Sequence, residues 1–153
     1  MKKSILIIFI IALSFVGKAQ FAVNYYYDGN TVGLSTNPEK SNWLELRVNT
    51  VSYIFSDWSH SQRFIPQAYF CFKLISDSKA SLYSGVGMGI PIPSGEVETV
   101  NVNIPFGLQL NPIIQLPRLY FTAEYTPMFD VLNELQTTNT LSFGFRYVFS
   151  KAD

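Results

Sequence analysis

The sequence contains one histidine, His60, within the stretch SDWSHSQ, where Ser59 and Ser61 flank it. A serine activated by a histidine, with a carboxylate orienting the imidazole, is the arrangement used for nucleophilic acyl transfer. Neighbouring residues in a loop do not by themselves bring a base onto a nucleophile, and no enzyme motif surrounds them. We therefore expect a hydrated loop histidine and no catalytic residue, and keep a lipid-modifying enzyme that uses His60 as an alternative.

A second group of candidates consists of charged residues inside segments that otherwise alternate between apolar and small or polar residues. They are Glu45, Arg47, Lys73, Glu124 and Arg146. Each falls on the face of its segment opposite the large apolar residues. Their signs roughly balance, and lone buried charges are costly, so we predict a structural network of charges inside the protein and no ligand-binding constellation.

Other residues with chemical potential favour structural roles. Cys71 is the only cysteine, so no internal disulfide can form, and no second cysteine or nearby histidine suggests a metal site. The glycine-rich stretch GVGMG, residues 85–89, lies within a predicted strand and no helix follows it, which excludes a phosphate-binding loop. We predict no cofactor and no metal.

The segments that position these residues have a period of two, which is typical of β-strands. Eight strands are predicted: Phe21–Tyr27, Thr31–Thr36, Asn42–Phe55, Arg63–Ile75, Ser81–Ile90, Thr99–Leu110, Arg118–Thr126 and Thr140–Phe149. The dipeptide Asp28-Gly29 indicates a type I′ turn between the first two strands.

Three irregularities are expected in this ladder. The apolar parity of the third strand switches near Asn49 and Thr50, which predicts a β-bulge there. Pro66 and Pro105 lie within predicted strands and cannot donate a ladder hydrogen bond, so we expect distorted pairing at both. The first two strands are also shorter than the 9–11 residues or so of a membrane-spanning strand.

The N-terminus predicts export. Residues 1–19 begin with Lys2 and Lys3, continue with an apolar run, and place the small residues Gly17 and Ala19 before the expected cleavage site, which is the pattern of a signal peptide. Residues 20–153 then form one domain with eight basic and eleven acidic residues. This negative balance argues against nucleic acid as a partner.

The composition decides between a water-facing and a lipid-facing sheet. Only 14% of the residues are charged, compared with about 25% in soluble domains. The face opposite the large apolar residues contains glycine, amides and a few balanced charges, which suits the narrow interior of a small barrel better than a solvated surface. We predict an all-β, eight-stranded antiparallel up-and-down transmembrane β-barrel, with a soluble lipocalin-like carrier as a further alternative.

The C-terminal segment LSFGFRYVF adds a motif. Ser142, Gly144, Tyr147 and Phe149 match the assembly signal of outer-membrane barrel proteins, although SKAD follows Phe149 where such proteins commonly end on the aromatic residue. With the signal peptide and the eight strands, the chain resembles the small outer-membrane β-barrels of the OmpA and OmpX type.

This resemblance implies an integral protein of the outer membrane of a Gram-negative cell, exported by the Sec route and inserted by the barrel assembly machinery. Both termini would be periplasmic, and the wall would contact outer-membrane lipid and lipopolysaccharide. We expect a structural or surface-interaction role without a general solute pore. The sequence does not identify an extracellular or periplasmic ligand.

Overall fold

The computed structural model describes residues 20–27, 31–49, 66–90, 100–113, 115–131 and 137–149. Within these residues the chain forms nine β-strands. They are β1 (Phe21–Tyr26), β2 (Thr31–Thr36), β3 (Asn42–Asn49), β4 (Pro66–Ser76), β5 (Ala80–Gly89), β6 (Asn101–Asn103), β7 (Phe106–Leu110), β8 (Leu119–Asp130) and β9 (Thr137–Phe149). None of the residues that the structure describes belongs to a helix long and apolar enough to cross a membrane.

The strands close into an antiparallel barrel. Each strand from β1 to β5 pairs with the next along the chain, β8 pairs with β9, and β9 pairs with β1, with Phe149 opposite Phe21 and Gly144 opposite Tyr26. β6 and β7 follow each other along one position of the wall, because both lie between β5 and β8. The wall therefore has eight positions, which confirms the predicted up-and-down barrel.

A proline explains why one position of the wall is divided into two strands, β6 and β7. Ile104 and Pro105 separate β6 from β7, as the missing donor of a proline requires. The Pro105 carbonyl still accepts a hydrogen bond from the amide of Gly85 at 3.1 Å, so the neighbouring strands stay in contact. The distortion expected at Pro105 is confirmed, and Pro66 lies at the first residue of β4.

The predicted strand boundaries were wrong at the β8–β9 hairpin. The predicted strands end at Thr126 and resume at Thr140, but β8 continues to Asp130 and β9 begins at Thr137. Pro127 is accommodated because its carbonyl accepts from the Ile104 amide at 3.0 Å. The structure also has an unpredicted register shift between Lys73 and Ile75 in β4. The bulge predicted near Asn49 and Thr50 is not tested, because the described residues of β3 end at Asn49.

The barrel is inverted relative to a water-soluble protein. Large apolar side chains on its outer surface are 36–60% exposed: Val23, Val32, Leu34, Leu44, Leu46, Phe70, Val86, Met88, Phe106, Leu108, Tyr125, Leu141, Phe143, Phe145 and Phe149. None of the charged side chains in the described strands is exposed to the same extent: each is buried or half-buried. The apolar set thus faces outward, which corrects the lipocalin-like alternative, because a lipocalin-like carrier would turn that set inward around a ligand.

The inward face alternates tyrosine with glycine across neighbouring strands. Tyr69 pairs with Gly87, and Tyr83 pairs with Gly107. A Cβ atom at either glycine would overlap the ring of the paired tyrosine. Glycine is therefore required at these positions because the aromatic rings lie directly over the neighbouring backbone. This packing fills the interior beside the charged residues.

The height of the wall is uneven. β1 and β2 have six residues each, whereas β8 has twelve and β9 has thirteen. The pairing of β9 with β1 ends at Gly144, while its pairing with β8 continues to Thr137. The β8–β9 hairpin therefore extends well beyond the β1–β2 hairpin, at the end of the barrel away from Gln20 and Phe149.

Candidate functional site

Four buried charges join at the centre of the barrel: Glu45 and Arg47 on β3, Glu124 on β8 and Arg146 on β9. Their side chains are at most 5% exposed. Alternate residues of a strand point to the same face, so Glu45 and Arg47 both enter the lumen. Strand closure then brings β8 and β9 to the opposite side. We call these four residues the charge ring.

The charge ring is a continuous chain of ion pairs. Arg146 donates from Nη2 to Glu45 Oε2 at 2.7 Å, and Arg47 donates from Nε to Glu45 Oε1 at 2.8 Å. Arg47 also donates from Nη1 and Nη2 to the two Glu124 oxygens at 2.5 and 2.7 Å. This two-fold contact matches the planar guanidinium to the planar carboxylate. Two positive and two negative charges leave the ring neutral.

Each carboxylate in the ring accepts four hydrogen bonds. Besides the two arginines, Glu45 accepts from the Tyr26 hydroxyl at 2.8 Å and from the Trp43 indole N–H at 3.3 Å. Gly33 on β2 leaves room for this carboxylate, because a Cβ there would lie 3.1 Å from Glu45 Oε1.

Glu124 is satisfied in the same way. It accepts from the Tyr83 hydroxyl at 2.7 Å and from the Thr126 hydroxyl at 2.8 Å, in addition to the two bonds from Arg47. A buried carboxylate is tolerated when its acceptor sites are filled and a cation neutralises it. Both carboxylates of the ring meet these conditions.

The two arginines are also enclosed. Arg146 donates to Asn24 Oδ1 at 2.6 Å and to Gln109 Oε1 at 2.7 Å, which adds β1 and β7 to the network. The Arg47 guanidinium lies between two aromatic rings, 4.3 Å from the centroid of Tyr26 and 4.2 Å from that of Tyr69. Cation–π contacts of this kind are stronger where water is excluded.

The arrangement fills the lumen with paired groups. Among the described buried side chains, only Asn103 Oδ1 and Thr122 Oγ1 have no hydrogen-bond partner. Such a network joins strands from opposite sides of the barrel, and its four charges are paired with one another. Paired side chains therefore occupy the centre of the barrel.

Lys73 is the predicted member of the network that the structure places elsewhere. Its Nζ donates to the Glu39 carbonyl oxygen at 2.8 Å, in the turn between β2 and β3. The alternation along β4 correctly places Lys73 on the inward face, but Lys73 lies near the end of the strand, next to the turns. The tyrosines, Trp43, Asn24 and Gln109 were not predicted as partners, because parity alone does not identify which inward residues meet.

The four residues of the predicted assembly signal lie in β9. Gly144 is buried at the seam with β1, where a Cβ would collide with the Tyr25 carbonyl oxygen. Phe149 stacks on Phe21 with ring centroids 4.8 Å apart, and its ring also contacts Tyr147. Ser142 lies farther along β9, paired with Glu124 of β8. Gly144, Tyr147 and Phe149 therefore lie in the pairing of β9 with β1 that closes the barrel, and Ser142 lies beyond it.

The remaining candidates add no reactive group to the described region. Cys71 is fully buried and packs with Trp43, Tyr69 and Tyr83. In the parts of the chain that the structure describes, no group of three or more His, Cys, Asp and Glu side chains could hold a metal ion. His60 with its serines, the signal peptide and SKAD lie outside the described residues.

No protein-family model matches the sequence, and no curated protein matches it. The structure is similar to the crystal structure of Ail, the attachment invasion locus protein of Yersinia pestis, with a TM-score of 0.40 and 16% sequence identity. The similarity covers 86% of this chain and 95% of the Ail chain. A closed antiparallel wall of eight positions with an apolar exterior is the architecture of the small outer-membrane barrels.

Proposed function

We propose that this protein is an integral outer-membrane β-barrel with a structural or surface-interaction role and without a general solute pore. One observation carries the proposal: the large apolar residues lie on the outside while Glu45, Arg47, Glu124 and Arg146 are buried inside. An exposed apolar wall of this size is unfavourable in water and favourable in lipid. Closure of the sheet satisfies the backbone polar groups that lipid cannot.

The filled lumen supports a role other than transport. The charge ring is joined to Tyr26, Tyr83, Asn24 and Gln109, so side chains from most of the wall meet at the centre. An eight-stranded barrel has an interior just wide enough for such side chains. Contact with the environment then falls to the outer wall and the two ends, where membrane lipid, lipopolysaccharide and envelope partners are the expected contacts.

Cell fractionation tests the proposal directly. The full chain is expressed in a Gram-negative host, membranes are washed with carbonate or urea, and the outer-membrane fraction is probed for the protein. Integral insertion predicts retention after the wash and a mobility shift between the unheated and heated protein on a gel. Recovery in the soluble periplasmic fraction would refute the proposal.

Orientation is tested separately. Single cysteines are introduced in a Cys71→Ala background at Ser78, in the β4–β5 turn, and at Val131, beside the β8–β9 loop. If both chain termini are periplasmic, a reagent that cannot cross the membrane labels the cysteine at position 131 in intact cells, and labels that at 78 only after the outer membrane is permeabilised. The reverse pattern would invert the topology without removing the protein from the membrane.

A further inference from the structure

A small polar cavity opens at the end of the barrel where Gln20 and Phe149 lie. Its volume is about 180 Å³. Charged and hydroxyl side chains line it, among them Glu39, Lys73, Asp77, Lys79, Ser81 and Tyr120. We call this cavity the vestibule. It is distinct from the charge ring, whose carboxylates and guanidinium groups have their hydrogen bonds filled by one another.

Two charged side chains that line the vestibule, Lys73 and the exposed Glu39, are held by neutral partners. The Lys73 ammonium donates to the Glu39 main-chain carbonyl oxygen at 2.8 Å. The Glu39 carboxylate accepts from the Tyr120 hydroxyl at 3.1 Å through Oε1. An ammonium has three donors and a carboxylate accepts about four hydrogen bonds, so both groups have capacity left for a ligand.

Gln109 closes the inner end of the vestibule. It is only 2% exposed, it lines the cavity, and its Oε1 accepts from Arg146 of the charge ring at 2.7 Å. On the side of the lumen the cavity therefore borders the charge ring through Gln109. Lys73 and Glu39 both line the cavity that a ligand would enter from solvent.

From this geometry we infer that the vestibule binds a zwitterionic amino-acid end group, with its carboxylate on Lys73 and its ammonium on Glu39. A ligand of one charge would satisfy one of these groups and bring a like charge close to the other. A ligand carrying both charges on adjacent atoms satisfies the two at once. Charge-assisted hydrogen bonds of this kind are about twice as strong as neutral ones.

The location of the mouth indicates where such ligands come from. This step rests on the proposed function, since periplasmic termini place the vestibule at the periplasmic face. Free amino acids carry an adjacent ammonium and carboxylate, and so does the free side-chain end of a diaminodicarboxylic acid residue in a cell-wall peptide. The shared chemistry is what the cavity recognises, and the two sources are separated by experiment.

Calorimetric titration of the refolded mature protein in detergent tests the inference. Glycine and D-alanine serve as probes, and acetate and methylammonium serve as single-charge controls. We expect saturable binding of the zwitterions and roughly tenfold weaker binding of either single-charge probe, because one charged hydrogen bond is lost in each case. Lys73→Met and Glu39→Gln should each weaken zwitterion binding by a similar factor.

Lys40→Gln is the matched control, because Lys40 lies in the same turn as Glu39, is exposed, and does not line the cavity. Folding of each variant is verified by the gel shift on heating. Sedimentation with purified cell-wall sacculi gives the second arm. Binding of both free zwitterions and sacculi supports a wall-bound source, and binding of free zwitterions alone supports a soluble one.

Three results would overturn the inference: no saturable binding of zwitterions, equal binding of the single-charge probes, or equal weakening by Lys40→Gln. The titration uses detergent-solubilised barrel, so its outcome does not depend on membrane orientation. A failed titration with normal outer-membrane retention would refute ligand binding by the vestibule and leave the proposed function intact. Loss of outer-membrane retention with normal zwitterion binding would refute the proposed function and leave the binding inference intact.

Discussion

Arg47 on β3 and Glu124 on β8 are 77 residues apart in the sequence and face each other across the lumen, joined by hydrogen bonds of 2.5 and 2.7 Å. Neither strand pairs with the other in the wall. The contact therefore ties opposite sides of the barrel directly, in addition to the backbone hydrogen bonds that run around it.

Removing one member of this pair should be more damaging than removing both. Glu124→Gln leaves the buried Arg47 without its second carboxylate, and breaking a buried pair costs about 3–5 kcal/mol. The double variant Arg47→Met with Glu124→Gln should be less destabilised than either single variant. The free energy of unfolding in urea, measured in lipid vesicles, gives the comparison, with Lys73→Met as a control outside the ring. Additive effects would show that the two residues act independently.

A charge on the outer wall should distinguish lipid from water around the barrel. Leu46 is 60% exposed, so in a water-soluble protein Leu46→Arg would change stability by less than about 0.5 kcal/mol. In a bilayer the same change near the midplane costs roughly 2–4 kcal/mol. We expect a strongly reduced folded yield in vesicles for Leu46→Arg and a normal yield for Ser78→Arg in an exposed turn. Equal yields would contradict the outward assignment.

The tyrosine–glycine pairs predict a graded series of alanine substitutions. Gly87→Ala and Gly107→Ala place a methyl group inside the rings of Tyr69 and Tyr83, and overpacking of this kind costs about 1–3 kcal/mol. Gly33→Ala should cost less, because its Cβ would lie no closer than 3.1 Å to any neighbouring atom, whereas at Gly87 and Gly107 it would overlap carbons of the paired tyrosine ring. Urea midpoints of the three variants test the order. A Gly33→Ala variant as unstable as Gly107→Ala would contradict it.

Two variants of the C-terminal strand β9 should separate recognition by the assembly machinery from closure of the barrel. Phe149→Ala should reduce insertion in cells more than refolding in detergent, because only the cell contains machinery that reads a signal. Gly144→Ala should impair both, since its Cβ would collide with the Tyr25 carbonyl oxygen at the seam. The folded fraction on gels is scored for both settings.

Removal of SKAD provides the control for that experiment. The deletion restores an aromatic terminus, so insertion in cells should be unchanged or improved. Normal insertion of Phe149→Ala, or loss of insertion on removing the tail, would place the signal elsewhere.

The filled interior of the barrel predicts that the protein conducts no steady ion current. Purified protein in planar bilayers should show no steady large conductance, because the charge ring and the tyrosines occupy the centre of the barrel. The denatured protein added under the same conditions controls for leaks. A reproducible open channel in ordinary salt would require a different packing of the inward side chains.

Alternation in the sequence predicts which way a side chain points but not how high in the barrel it lies. The inward assignment of Glu45, Arg47, Glu124 and Arg146 follows from a period of two, and the closed wall brings them together. Lys73 has the same parity and yet lies near the turns, because height depends on the stagger between strands, which no local pattern encodes. The same limit hides the partnership of Arg47 with Glu124.

Proline misled the boundary prediction for a local reason. Pro127 indicates a loop because it lacks a donor, but its carbonyl remains an acceptor and binds the Ile104 amide. Ile104 in turn adjoins Pro105, which separates β6 from β7. Two prolines on adjacent wall positions thus share one irregular stretch. That compensation depends on register between strands and is invisible in either segment alone.

In the membrane setting that we propose, the unequal strands give the barrel a short flank at β1 and β2 and a tall flank at β8 and β9. Six residues of β1 span about 20 Å at roughly 3.3 Å per residue, which is less than the hydrocarbon thickness of about 30 Å. On that flank the bilayer must thin or the barrel must lean, at a cost of a fraction of a kcal/mol per Å of mismatch. The tall flank at β8 and β9 makes no such demand. If the barrel spans a bilayer as proposed, any thinning of the bilayer is therefore confined to the flank of β1 and β2.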